Sequence, residues 1–226
     1  MNKKIVNKLI ILIFIPILIA IGIIVFKDRK YNIISMLIAV FACVPLFIRF
    51  EKNDIDVKNL IIIAVMTALS AAGRFAFAAI PGFKPVTAVV VITAMYFGSD
   101  SGFVTGALSA IVSNIFFGQG PWTPFQMFSW GMVGYIAGIL TEKKLLENRL
   151  VLFFYGVIAG VLYSIIMDVW TVLSMDGTFN LTRYIAAVIS AVPFTLTYAV
   201  SNVVFLFFLE KPIGEKLLRI KKKYQI

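Results

Sequence analysis

Arg74, Asn114 and Asp168 each stand inside a long apolar run. A charge or an amide in hydrocarbon costs roughly 2 to 4 kcal/mol, so residues of this kind mark sites. A guanidinium offers a fork of N–H donors, which makes Arg74 a candidate to hold Asp168 in an ion pair, to hold a ligand, or to bridge the two. Asp168 is equally the carboxylate that a coupling ion would use. Between them lies FFGQGPWTPFQMFSWG, residues 116–131, where three glycines, two prolines, two glutamines and two tryptophans separate two apolar runs. Gln119, Trp122, Gln126 and Trp130 follow a three-four-four spacing, so on a helix beginning near Thr123 the later members share one face. An amide and indole wall of this kind can hydrogen-bond and stack on a vitamin-sized ligand. The same residues also read as a helix start, with Thr123 at the N-cap, Pro124 at N1 and Gln126 closing a capping box, and tryptophans near a bilayer surface commonly serve as anchors. Catalytic chemistry has no support. The sequence contains no histidine, which removes the usual zinc ligands and the Ser-His-Asp triad. It shows no HExxH or GxSxG motif and no GxxxxGK[ST] nucleotide loop. The chain is therefore expected to be no enzyme, to carry no cofactor or metal, and to depend on other subunits for any use of ATP. Cys43 is the single cysteine, so no intrachain disulfide can form.

Membrane helices must position these groups. The chain is 61% hydrophobic with a mean hydropathy of +0.97, and runs of about 20 apolar residues match a hydrocarbon core of about 30 Å. An all-α integral membrane protein is expected. Apolar windows broken by charge or by Gly and Pro give eight segments, at 5–26, 31–50, 59–80, 84–98, 101–117, 123–140, 150–174 and 183–209. The first has the basic start of a signal peptide but is too long for an h-region, and it reads as a retained helix. The segment at 84–98 is short for a full crossing, which is tolerated where backbone packs in protein or lines a cavity. The net charge of +10 lies mostly in short segments between spans, where it sets topology and does not suggest nucleic acid. With an even number of spans, fifteen Lys and Arg fall on the side of the termini and five on the other. Both termini are thus expected in the cytoplasm of a multi-pass plasma-membrane protein, although Lys27, Arg29 and Lys30 oppose this locally and leave a shallow, non-spanning hairpin as the alternative. At 1.5 Å per residue Arg74 lies about 21 Å, Asn114 about 20 Å and Asp168 about 27 Å from the inner ends of their helices. All three fall in the outer third, with Lys84, Gln119, Trp122, Gln126 and Arg183 near the same surface.

Residues 1–50 form an accessory N-terminal membrane hairpin in this scheme. A charged linker follows at 51–58, a six-helix domain at 59–210, and a basic cytoplasmic tail at 211–226. The first helix of the six-helix domain carries Ala64, Ala68 and Ala72 at a spacing of four. Such a strip lets another helix approach closely in lipid, whether from the same chain or from a partner. Arg74 is about 240° around the helix from Ala68, so it points away from the strip. A second strip, Gly102, Gly106 and Ala110, leads to Asn114 and reads as packing within the bundle.

Over residues 58–210 the sequence resembles the substrate-binding S components of energy-coupling factor (ECF) transporters. The resemblance rests on the Ala64, Ala68 and Ala72 strip, on GRFAFAAIPGFKP at 73–85, and on SNIFFGQGPWTPFQ at 113–126. It implies that the alanine strip docks a transmembrane coupling subunit that works with two ABC-type ATPases. It further implies that the 73–85 loop caps a pocket for a vitamin in the outer half, where Arg74, Phe77, Lys84, Asn114, Gln119, Trp122, Gln126, Trp130 and Asp168 are the candidate contacts. The long GQGPWTP turn is most similar to the S components assigned to cobalamin. Capture from outside followed by rotation in the membrane is the mechanism implied. An ion-coupled secondary transporter of a small organic solute, with Asp168 as its carboxylate, is the alternative.

Overall fold

The computed structural model describes residues 57–177 and 179–224, together with Leu37, Phe41 and Val44. Five helices make up the described architecture: α1 Val57–Ala76, α2 Val86–Phe117, α3 Thr123–Glu142, α4 Arg149–Asp176 and α5 Leu181–Tyr224, with a single 3-10 turn at Leu145–Glu147 before α4. Four of them, α1, α2, α4 and α5, are long and apolar enough to cross a membrane. Helix α3 is the most enclosed, with 13 of its 20 residues buried. Its three glycines, Ser129 and Gln126 lower its hydropathy, and the glycines let its neighbours approach.

The six helices expected from sequence return as five elements because 84–98 and 101–117 are two arms of α2. Gly98 joins them with φ 86° and ψ 173°, a left-handed backbone that only glycine adopts without strain. The arms fold back on each other, since a Cβ on Gly102 would come within 2.5 Å of the Ala94 Cβ. The second arm then packs on α3, and the same Cβ would lie 2.8 Å from the Gly134 carbonyl oxygen. The Gly102 and Gly106 strip is thus consumed inside the bundle, as its spacing predicts. At the other end of α2, Pro85 closes so tightly on Gly73 that a Cβ there would be 2.5 Å from the proline ring. That contact folds the 77–85 loop over the top of α1 and α2.

Helix α5 does not stop at 209. It continues through the segment expected as a basic tail and contains both Pro193 and Pro212. The cause is a second apolar stripe among the lysines. Ile213, Leu217 and Ile220 recur at helical spacing and pack on the main hydrophobic cluster with Ile62 and Met66 of α1. Gly214 is buried against the Tyr96 ring. The proposed hairpin at 1–50 and linker at 51–58 lie mostly outside the described residues. Of the hairpin, Leu37, Phe41 and Val44 are helical and half-buried, and Phe41 packs beside Phe125, Phe128 and Leu173.

Candidate ligand-binding site

Arg74 turns inward from the last turn of α1 to meet the second arm of α2. Its Nη1 donates to Ser113 Oγ at 2.5 Å and to Asn114 Oδ1 at 2.7 Å. Its guanidinium carbon lies 4.6 Å from the centre of the Phe117 ring and 5.2 Å from that of Trp130. Two charge-assisted bonds and two aromatic faces hold the cation in place of water. The relay continues through Asn114, whose Nδ2 donates to Gln126 Oε1 at 2.8 Å and to Thr123 Oγ1 at 2.9 Å. Gln126 Nε2 in turn reaches the Tyr163 hydroxyl at 3.5 Å. The capping box expected for Gln126 therefore does not form. Trp122 occupies the N-cap without a side-chain bond, and the Gln126 amide turns into the bundle because Asn114 presents a donor there.

An aromatic wall stands on this polar frame. Trp130 and Tyr163 stack with centroids 5.2 Å apart and planes 18° from parallel, and Tyr198 meets Tyr163 edge-on at 5.3 Å. Together with Arg74, Lys84, Gln126 and Asn202 these rings line a cavity of about 230 Å³. The loop above it is fixed at both backbone atoms of one residue: Lys84 N donates to Ser201 Oγ at 2.9 Å, and Ser201 Oγ donates to Lys84 O at 3.0 Å. Lys84 Nζ donates to the Phe77 carbonyl. Burial, and secondarily the Arg74 charge, hold its ammonium below the ordinary lysine value. Behind the cavity Asn202 Nδ2 donates to Gly156 O at 3.0 Å, joining α5 to α4.

The sequence-based candidates divide into three groups. Arg74, Lys84, Gln126 and Trp130 line the cavity, with Asn114 behind them. Phe77, Gln119 and Trp122 do not line it. The Phe77 ring packs on Phe83 and Phe205 at 6.0 and 4.9 Å. Gln119 bonds Ile111 O at 2.7 Å and accepts from Thr123 at 3.0 Å, and the Trp122 ring lies over Gly120. These residues shape the turn at 118–123. Asp168 also lies outside the lining. The ion pair considered for Arg74 and Asp168 does not form, because Arg74 is committed to Ser113 and Asn114, whereas the Asp168 Oδ2 atom is buried with no hydrogen-bond partner among the described residues. Among the described residues an ion pair instead joins Arg183 to Asp176, at 3.2 Å. Tyr163, Tyr198 and Asn202 were missed. Their signal was available: a phenol or an amide inside an apolar run obeys the same cost argument as Asn114.

The family model for the ECF-type riboflavin transporter S component matches residues 54–214. The chain belongs to that family. The match begins just before α1 and takes in the whole cavity. Among curated proteins it is similar to the UPF0397 protein of Vibrio atlanticus (strain LGP32), with 29% identity over 105 residues that cover 43% of this chain and 57% of the relative. It is also similar to the UPF0397 protein of Aliivibrio salmonicida (strain LFI1238), at 31% over 100 residues, 41% of this chain and 54% of the relative. The UPF0397 protein of Aliivibrio fischeri (strain MJ11) matches at 29% over 132 residues, 51% of this chain and 72% of the relative. The chain thus spans little more than half the length of the Vibrio relative. No solved structure matches it.

Proposed function

We propose that this chain is the membrane subunit that captures a flat, heteroaromatic vitamin of the flavin class and passes it, chemically unchanged, to an ATP-driven coupling module. The observation that carries the proposal is the cavity in which Arg74 and Lys84 face the Trp130, Tyr163 and Tyr198 rings. Stacking faces take a ring system, while guanidinium, ammonium and amide groups bond its carbonyl edge. At about 230 Å³ the cavity falls below the roughly 300 to 1,000 Å³ typical of ligand sites. A corrinoid, the ligand suggested by the GQGPWTP turn, is far larger and would require the 77–85 loop to open. The riboflavin in the family's description supports the smaller ligand.

Delivery is the second half of the proposal. Ala64, Ala68 and Ala72 are exposed along α1, on a face that leaves room for the close approach of a helix from a coupling subunit bearing two ABC-type ATPases. In this scheme ligand enters from outside and the loaded chain rotates in the plasma membrane, with both termini cytoplasmic. The test is titration calorimetry of the detergent-purified full chain with riboflavin and with cobalamin. Riboflavin is expected to bind one to one with a dissociation constant of about 1 µM or tighter. Binding of cobalamin alone would overturn the flavin assignment and restore the corrinoid, and binding of neither would overturn the vitamin class.

A further inference from the structure

A second cavity, of about 370 Å³, lies at the opposite end of the bundle from the ligand site. Its walls are Ile61, Ile62, Val65 and Met66 of α1 and Leu217 and Ile220 of α5, and its mouth is formed by Lys58 and Tyr224. The walls are apolar and the mouth is cationic. Lys58 Nζ donates to the Tyr224 carbonyl at 2.7 Å, and Lys223 Nζ lies 5.4 Å from the centre of the Tyr224 ring. Lys211, Lys216, Arg219, Lys221 and Lys222 are also exposed on this final stretch of α5, in which Glu215 is the sole acid, and Lys221 Nζ donates to Tyr96 O at 3.1 Å.

Depth and charge together identify the occupant. From Lys58 to Met66 the groove runs eight residues, or about 12 Å, which fits within one leaflet of a hydrocarbon core about 30 Å thick. Its mouth sits where headgroups would lie, at the end of the molecule richest in Lys and Arg, the cytoplasmic end by the charge rule. A neutral lipid would fill the walls but gain nothing from the end of α5, which carries six Lys and Arg over residues 211–223 against the single Glu215. Clusters of Lys and Arg immediately beyond a membrane helix attract anionic headgroups. We propose that this groove seats an acyl chain of an anionic phospholipid whose phosphate is held at the mouth by Lys58 and Lys223. The lipid borders Ala64, because Ile61 and Val65 flank that residue on α1. This inference does not rest on the identity of the transported ligand.

Native mass spectrometry of the detergent-purified full chain, incubated with equal amounts of phosphatidylglycerol and phosphatidylcholine of matched chain length, tests it. Phosphatidylglycerol adducts are expected to exceed phosphatidylcholine adducts by about five-fold or more. Millimolar glycerol phosphate should not displace them, since a free phosphate lacks the chain that fills the groove. The double variant Lys58→Gln/Lys223→Gln should bring the two lipids near parity, and Lys223→Gln alone should lower the preference while sparing the Lys58 bond. Val65→Phe, which fills the groove, should reduce retention of both lipids. Helix content by circular dichroism should be unchanged in each variant, which separates lipid loss from misfolding. Equal retention by the unaltered chain, displacement by glycerol phosphate, or an unchanged preference in both lysine variants would overturn the proposal.

Discussion

Arg74 shows how one cation is kept in an apolar bundle and still left available to a ligand. Two of its donors are spent on Ser113 and Asn114, and its faces rest on Phe117 and Trp130, while the group still lines the cavity. A guanidinium has five N–H donors, so some remain for an incoming carbonyl edge. Replacing Arg74 with Ala is expected to weaken vitamin binding about 10- to 100-fold, because a hydrogen bond to a charged group contributes about 1.5 to 3 kcal/mol. Lysine should rescue little, since it cannot hold Ser113 and Asn114 and present a planar fork at the same time. Calorimetry of the three proteins checks this, and a wild-type dissociation constant in Arg74→Ala would remove the residue from the site. The aromatic wall gives a second contrast. Trp130→Ala should lose about ten-fold or more in affinity with its stacking surface. Tyr163→Phe gives up only a 3.5 Å hydrogen bond to Gln126 and should stay within about three-fold of wild type. Equal losses in the two would mean that the phenol, and not the ring, makes the contact.

Helices α1, α2 and α3 place these side chains through small residues. Gly106 lies against the backbone of Trp130 and Gly131, so Gly106→Val must push the second arm of α2 away from α3. Overpacking of this kind costs about 1 to 3 kcal/mol. Thermal unfolding in detergent should show a lowered midpoint, and vitamin affinity should fall with it because Trp130 moves; an unchanged midpoint would contradict the packing seen here. That glycine role was legible in the sequence, as were the α1 segment, the outward alanines and the convergence of Arg74, Asn114, Gln126 and Trp130. Depth and helical phase are properties of the linear chain, and they sufficed for those residues. What could not be read depends on contacts between segments. Gln126 fits a capping box by local spacing, yet Asn114, twelve residues earlier, draws its amide inward. The final stretch of α5 looks like a solvated basic tail when its lysines are counted. It packs because Ile213, Leu217 and Ile220 fall on one side. Tyr163, Tyr198 and Asn202 carry the same linear signal as Asn114, a polar group inside an apolar run, but only contacts between α3, α4 and α5 bring them to the cavity.

At the scale of the whole molecule, the two ends carry different surfaces, and each suits a different source of energy for the proposed uptake. The buried Asp168 carboxylate, with Oδ2 lacking a partner among the described residues, is the group that an ion-coupled transporter would use. The exposed alanines of α1 are what a docked, ATP-driven subunit would use. Reconstitution separates the two. Proteoliposomes holding this chain alone should accumulate no vitamin under an inward proton or sodium gradient. Addition of a coupling subunit and its ATPases should give uptake that depends on ATP. In that assembly Ala68→Trp should abolish uptake while vitamin affinity stays within about two-fold of wild type, since a bulky ring on the strip blocks helix approach without touching the cavity. Asp168→Asn, which removes the charge and keeps the volume, should leave ATP-driven uptake largely intact. Gradient-driven uptake by the chain alone, abolished by Asp168→Asn and indifferent to Ala68→Trp, would reverse the assignment, because only a titrating carboxylate can couple an ion and only a docking face can couple ATP.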